Sequence, residues 1–134
     1  MKYFDTDVII HSIIIQEIDK HQKAIDLIRN SLEKNEFNIS LLGLQETAFV
    51  LSKLGFGKTF IRKNIEKLLE LNPLNYSFQN FKRAAEIAFS IGFNNINDCL
   101  HTAIAEYYCN ELLTYNKKDF TKIKKHTKIK ITIH

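Results

Sequence analysis

The hydrophobic pattern along the chain changes period several times, and each change marks an element. Residues 2–10, KYFDTDVII, are apolar and β-branched apart from Asp5 and Asp7, which predicts a strand buried on both faces. HSIIIQEI (11–18) follows with two readings: an amphipathic helix that buries its isoleucines in the core, or an apolar surface left open to a partner. Residues 21–34 show helical spacing with Ala24, Ile25, Leu27, Ile28 and Leu32 facing inward. EFNIS (36–40) predicts a short strand, and LLGLQETAFVLSKLG (41–55), apolar on most sides, a buried helix. Residues 58–71 place Ile61, Ile65, Leu68 and Leu69 on one helical face. Residues 77–91 do the same with Phe78, Phe81, Ala84, Ala85, Ala88 and Ile91, and end at Gly92, a natural C-cap. The single proline, Pro73, separates these two helices. INDCLHTAIAEYYC (96–109) predicts another helix, starting near Asn97 or Asp98, while ELLTYN (111–116) and KIKITIH (128–134) predict strands. Strands separated by helices imply βα units, so the expected fold is a three-layer α/β/α domain with a mostly parallel sheet, spanning 1–134.

Composition narrows the class. A chain of 134 residues suffices for one domain with a sizeable core, and 45% hydrophobic with 25% charged residues describes a globular protein. No apolar run reaches the roughly 18 residues of a membrane span, and the stretch Ile9–Ile15 lacks the flanks of a signal peptide. Cys99 and Cys109, ten residues apart in a helical pattern, read as small buried hydrophobes in a reducing cytoplasm. The net charge of +4 is mild support for a polyanionic partner.

The acids add chemistry. In such a sheet, ligands bind beyond the carboxyl ends of the strands, where the first strand would deliver Asp5 and Asp7 on one side of the extended chain. Glu46 lies among Leu42, Leu44, Ala48, Phe49 and Val50, where an ionised carboxylate is costly unless a positive group meets it. Asp98 opens a helix, and the strand at 111–115 runs into Asn116 and Asp119. Each has a plainer role: Asp98 as a helix cap, Asp119 as a turn residue in NKKDF, Glu46 as partner to a lysine. Clustered carboxylates with few soft ligands suit Mg²⁺ or Mn²⁺.

YFDTDVII, the lone glutamate of QETAF, INDCLHTAIA and LLTYNKKDF follow one another in an order and spacing that resemble the PIN-domain ribonucleases, and among them the VapC-like toxins of toxin–antitoxin pairs. The resemblance spans essentially the whole chain. It implies a metal-dependent endoribonuclease whose acidic pocket holds one or two Mg²⁺ or Mn²⁺ ions, with Asp5, Glu46 and Asp98 as core acids. It further implies a cognate antitoxin, received by a groove near residues 11–18, and a homodimer formed elsewhere on the helical surface. The family's fourth acid position is Asn116 here, a departure that leaves Asp119 as the remaining acid of the motif. Asp7 would be an accessory ligand or orient a water, and Thr6 and Thr114 would hold carboxylates from behind. A cation would offset the charge developing on the phosphodiester and lower the pKa of the attacking water, and the resemblance implies an in-line attack that leaves a 5′-phosphate and a 3′-hydroxyl.

Lys117 and Lys118 could hold flanking phosphates or be a solvated turn, and the basic tail KKDFTKIKKHTKIKI has the same two readings. His101, one helical turn beyond Asp98, reads as a packing histidine that could also reach the site. Two rivals remain. A haloacid-dehalogenase-like phosphatase also ends its first strand in Asp-x-Asp, but Ile9 stands where Thr or Val is usual and no adjacent Asp pair occurs later. A catalytically silent PIN-like module that binds RNA or protein is motivated by Asn116.

Overall fold

The computed structural model describes residues 1–134. Four strands, β1 (Lys2–Phe4), β2 (Phe37–Asn38), β3 (Glu111–Thr114) and β4 (Lys130–Ile133), form one sheet in the order β2-β1-β3-β4. Every pairing is parallel, with Tyr3 opposite both Asn38 and Leu112, and Leu112 opposite Ile131. Seven helices cover it: α1 (Thr6–Ile13), α2 (Ile18–Glu33), α3 (Leu41–Lys53), α4 (Lys58–Leu69), α5 (Phe78–Ile91), α6 (Ile96–Tyr108) and α7 (Lys117–Ile123). None is long and apolar enough to cross a membrane.

The period of two along the strands sorts the core into two halves. Tyr3, Leu112 and Ile131 point to one face and pack with Ala84, Ala88, Ile104, Phe120 and Ile123 of α5, α6 and α7. Phe4 and Leu113 point to the other and pack with Val8, Ile9, Ala24, Ile39 and Leu44, under α1, α2 and α3. The result is the three-layer α/β/α arrangement expected. The strand order turns at β1, which pairs with β2 on one side and β3 on the other. The carboxyl ends of β1 and β3 therefore form a topological switch point, where such sheets open a crevice.

Several expectations need correction. The strand read over 2–10 stops at Phe4, because Asp5 is the N-cap of α1: its extended backbone precedes the helix and its Oδ1 accepts from the Thr6 amide at 2.9 Å. The valine and isoleucines of DVII resemble a strand in composition, yet tertiary packing against Phe4 and Leu113 makes them a helix. Asp5 and Asp7 are thus a cap and a first-turn residue rather than alternate positions of one strand. The helix expected over 11–18 is divided: α1 ends at Ile13, α2 begins at Ile18, and Ile15 and Ile18 are exposed. NKKDF is the start of α7, a helix missed because it is only seven residues long and mostly lysine outside Phe120 and Ile123. The helix expected to start near Asn97 or Asp98, α6, begins at Ile96, with Asp98 inside its first turn.

Not every apolar position on a helical face is buried. Leu32, Phe49, Leu69, Phe78 and Phe81 all lie on the surface, while Ser31, Thr47 and Ile87 are buried instead. Gly92 does close α5, at φ 113°, and a Cβ there would stand 2.7 Å from Asn94 Oδ1. Glycine is therefore required for the sharp turn that aims α6 at the switch point. Cys99 is buried, Cys109 is half-buried, and both thiols are free.

Candidate active site

Each acid is placed by a backbone feature. The Asp5 amide donates to Leu113 O at 3.0 Å, continuing the β1–β3 ladder by one residue and holding the start of α1 at the sheet's carboxyl edge. Thr114 ends β3, fully buried, and its hydroxyl donates to Asp5 Oδ2 at 2.8 Å, with Asp7 Oδ2 at 3.3 Å. The Tyr115 amide donates to both Asp7 oxygens, at 3.2 and 3.1 Å. Ser40 caps α3, accepting from the Gly43 amide at 3.1 Å, and this fixes where Glu46 emerges less than two turns later. Asp98 is held by the first turn of α6.

A cavity of about 370 Å³ opens between these elements, lined by Asp5, Asp7, Glu46, Asp98 and Asn116 among others. Four carboxylates and one amide predicted from the sequence therefore share one site. Asp119 does not line it. Its carboxylate accepts from Asn116 Nδ2 at 2.9 Å, while its own amide donates to Asn116 Oδ1 at 3.1 Å, which makes Asn116 the N-cap of α7. The negative charge of Asp119 still reaches the site through space, as one of the influences that raise Asp98.

His101 belongs to this site more closely than its sequence position indicated. Its side chain is 1% exposed, its Nε2 bonds Glu46 Oε1 and stands 3.7 Å from Asp5 Oδ1, and its Nδ1 lies 2.6 Å from the Tyr3 hydroxyl. That hydroxyl lies 2.6 Å from Ser40 Oγ, so a buried chain runs from the α3 cap through Tyr3 and His101 to Glu46. Thr6 Oγ1 also donates to Glu46 Oε1 at 2.6 Å, and Asn97 Nδ2 to Oε2 at 3.2 Å. The partners of Glu46 thus include no lysine. A buried face on α6 with His101 three residues after Asp98 was the available signal. Tyr3 carried none, since its hydroxyl finds partners far away in the chain.

The electrostatics follow from burial. Burial pushes the His101 imidazole down, but the hydrogen bond with Glu46 and the charge of Asp5 outweigh it and hold the ring above its ordinary value. Burial would raise Glu46, yet the bonds from His101 and Thr6 keep it below the usual carboxylate range. These two form an ion pair. Asp5 is raised by burial, partly offset by His101 and Thr114. Burial, and then the charge of Asp5, push Asp7 and Asp98 up to about 7. One histidine thus serves a pocket of four acids, and no lysine or arginine pairs with any of them. The donor set is all oxygen and short of positive charge, which fits a hard divalent cation. As the side chains stand, no three His, Cys, Asp or Glu residues converge closely enough to hold one.

The PIN-domain family model matches residues 2–126. The chain belongs to the PIN-domain family. Among solved structures, this PIN domain is similar to the VapBC2 complex from Rickettsia felis bound to a DNA fragment from its promoter. There it shares 18% identity at a TM-score of 0.68, over 100% of this chain and 99% of the other, a likeness of fold. No curated protein matches it in sequence. The four acids of the cavity lie in the segments of this PIN domain whose order first suggested the family.

Proposed function

We propose that this protein is a metal-dependent endoribonuclease, the toxin of a toxin–antitoxin pair. The observation that carries the reading is the cavity at the switch point, lined by Asp5, Asp7, Glu46 and Asp98, with His101 behind it as the only cationic partner these acids have. Membership of the PIN family supports nuclease activity in general. Asp5, Glu46 and Asp98 would hold Mg²⁺ or Mn²⁺, with Asp7 and Asn116 beside them and Asp119 acting through Asn116. A cation bound there supplies Lewis acidity against the charge that develops on the scissile phosphate.

The chain's own residues do the rest. Thr114 and the Thr6 amide fix the two Asp5 oxygens, so the carboxylate presents a set direction to the cavity. Thr6 and His101 hold Glu46 Oε1, which leaves Oε2, with its single Asn97 partner, as the oxygen turned to a ligand. Asp7 and Asp98 give up protons near neutral pH, so a cation finds them ready to ionise.

Two apolar surfaces support the partner half of the reading. Ile15 in the α1–α2 connection, Ile18 at the start of α2 and Phe49 on α3, exposed by 67%, 75% and 66%, are apolar side chains available to an antitoxin segment, and the neighbouring structure is itself a VapBC2 complex. Phe78 and Phe89 on α5, exposed by 74% and 84%, offer a homodimer contact. Free Cys99 and Cys109 suit a reducing cytoplasm.

One observation favours a second reading, a PIN domain that binds RNA without cutting it: no three metal-ligating side chains converge. Cleavage of RNA by the purified protein, with Mn²⁺ and with excess EDTA, separates the two. We expect cleavage only with the metal, and growth arrest of a host that Glu46→Gln relieves. Undiminished cleavage in EDTA, or arrest by an equally abundant Glu46→Gln protein, removes the metal-nuclease reading.

A further inference from the structure

The positive charge of this protein is concentrated in one place. Residues 117–130 contain seven lysines and one acid, Asp119, whereas the rest of the chain has twelve basic and fourteen acidic side chains, a net of −2. The segment accounts for the whole excess. It is made of α7 and a 3₁₀ turn (Lys124–His126), followed by the approach to β4. Phe120 and Ile123 anchor it in the core and all seven lysines are exposed. Only Lys130 among them has an ionic partner, Glu111 at 3.1 Å.

Its path matters as much as its charge. The segment begins at Asn116, on the wall of the acidic cavity, and runs about 16 Å by helical rise. It ends at a second cavity of about 750 Å³, lined by Arg83, Glu106, Lys125, His126 and Lys128 among others. Met1 and Asn110 are joined by a hydrogen bond there, so this is the amino end of the sheet. Arg83 is already engaged by Glu106, at 2.9 and 3.0 Å, and its Nη2 donates to the His126 carbonyl at 2.8 Å. It pins the turn and leaves Lys125 and Lys128 as the free cations. Lys118, Lys122 and Lys125 follow one another at i, i+4 and i+7, which lines them along the solvent side opposite Phe120 and Ile123.

We propose that this lysine row is a phosphate track: the RNA strand flanking the bond at the acidic cavity runs along α7 and the 3₁₀ turn to the cavity at the amino end of the sheet. The inference rests on the nuclease reading for what happens at the start of the track. A strand so held extends several nucleotides beyond the cavity, so the substrate class is an RNA chain rather than a di- or trinucleotide. The track has no exposed apolar residue between Lys117 and Lys128, so it lacks the anchor a protein partner would need, and lysine is depleted at such interfaces. Separate point charges on a row instead match a backbone of separate phosphates, without base readout.

The test is binding of a labelled single-stranded oligoribonucleotide that spans the track, in EDTA so that nothing is cut, over a range of KCl. Removing one lysine that neutralises a phosphate lowers the slope of log K against log salt by about 0.7 on single strands. The exposed triple variant Lys118→Gln, Lys122→Gln, Lys125→Gln should lower the slope by about 2 and weaken binding at least about tenfold at low salt. Thermal melting checks that the variant stays folded, and single replacements at Lys122 or Lys125 serve if it does not. Equal slopes for wild type and folded variant overturn the track while RNA cleavage by the wild type keeps the nuclease reading. The expected change in slope, from a wild type that cuts no RNA with Mn²⁺, keeps the track and removes the nuclease. A wild type that neither binds nor cuts RNA removes both, and leaves the lysine row to an acidic protein partner.

Discussion

The Tyr3 hydroxyl stands 2.6 Å from His101 Nδ1, between residues 98 positions apart in the chain. The pair joins the buried side of the sheet to the acidic cavity, because the opposite ring nitrogen of His101 bonds Glu46 and the Tyr3 hydroxyl also meets Ser40. With both ring nitrogens protonated, as the raised His101 favours, the imidazolium donates to Tyr3 and Glu46, and the tyrosine donates to the α3 cap.

Tyr3→Phe keeps the ring in the core and removes the hydroxyl, leaving His101 Nδ1 and Ser40 Oγ without their buried partner. The loss should cost about 1–3 kcal/mol of stability, read as a lower midpoint in urea unfolding. An unchanged midpoint would mean that the chain of bonds through Tyr3 carries no net stability.

Asp5→Asn should abolish cleavage and leave the metal-free fold intact or more stable. Asparagine caps a helix as well as aspartate does, so α1 keeps its start. The substitution also removes a negative charge that raises Asp7 and Asp98. Melting with and without Mn²⁺ reports the cost: the metal-induced rise in Tm should shrink in the variant. Equal rises in both proteins would exclude Asp5 as a ligand.

Burial, with this repulsion added to it, sets a pH dependence for the protein in EDTA. Asp7 and Asp98 release their protons at about 7 when folded, whereas an unfolded aspartate does so near about 3.9. Between those values the folded chain holds protons that the unfolded chain has lost, so stability falls as pH rises through the window. The raised His101 acts in the same direction, since its contribution is lost as pH rises through its folded value. Glu46, held low, gives the opposite acid limb and loses its contribution only as pH falls through that lower value. Tm in EDTA should therefore decline between about pH 5 and about pH 7, and Asp98→Asn should flatten the decline. Saturating Mn²⁺ should reduce or reverse it, because a cation favours the ionised carboxylates. A Tm that climbs steadily over that interval in EDTA contradicts the burial of these acids.

Asn116→Asp keeps a good N-cap for α7 and adds a negative charge on the cavity wall, so Mn²⁺ affinity should rise. Asp119→Asn keeps an acceptor for Asn116 Nδ2 and removes charge near Asp98, so affinity should fall while stability changes by no more than about 1 kcal/mol. Calorimetric titration of both variants decides the matter. Affinities equal to wild type would make Asn116 and Asp119 purely the cap of α7, with the metal held by Asp5, Glu46 and Asp98.

Period and spacing were enough to determine the architecture. The alternation of strands and helices implied a parallel three-layer domain, Gly92 closed its helix as a glycine must, and four acids from distant segments were legible because each falls where a strand ends or a helix crosses the switch point. The packing of the sheet decided what local pattern could not. DVII became a helix because Val8 and Ile9 dock on Phe4 and Leu113, a packing that outweighs their β preference. His101 and Tyr3 entered the site because β1 and α6, remote in the chain, are neighbours in space, and no sequence spacing encodes that distance. Whether a lysine is a solvated surface residue or part of a track depends on what lies at the two ends of its row, and only folding brings the acidic cavity to one end and the second basin to the other.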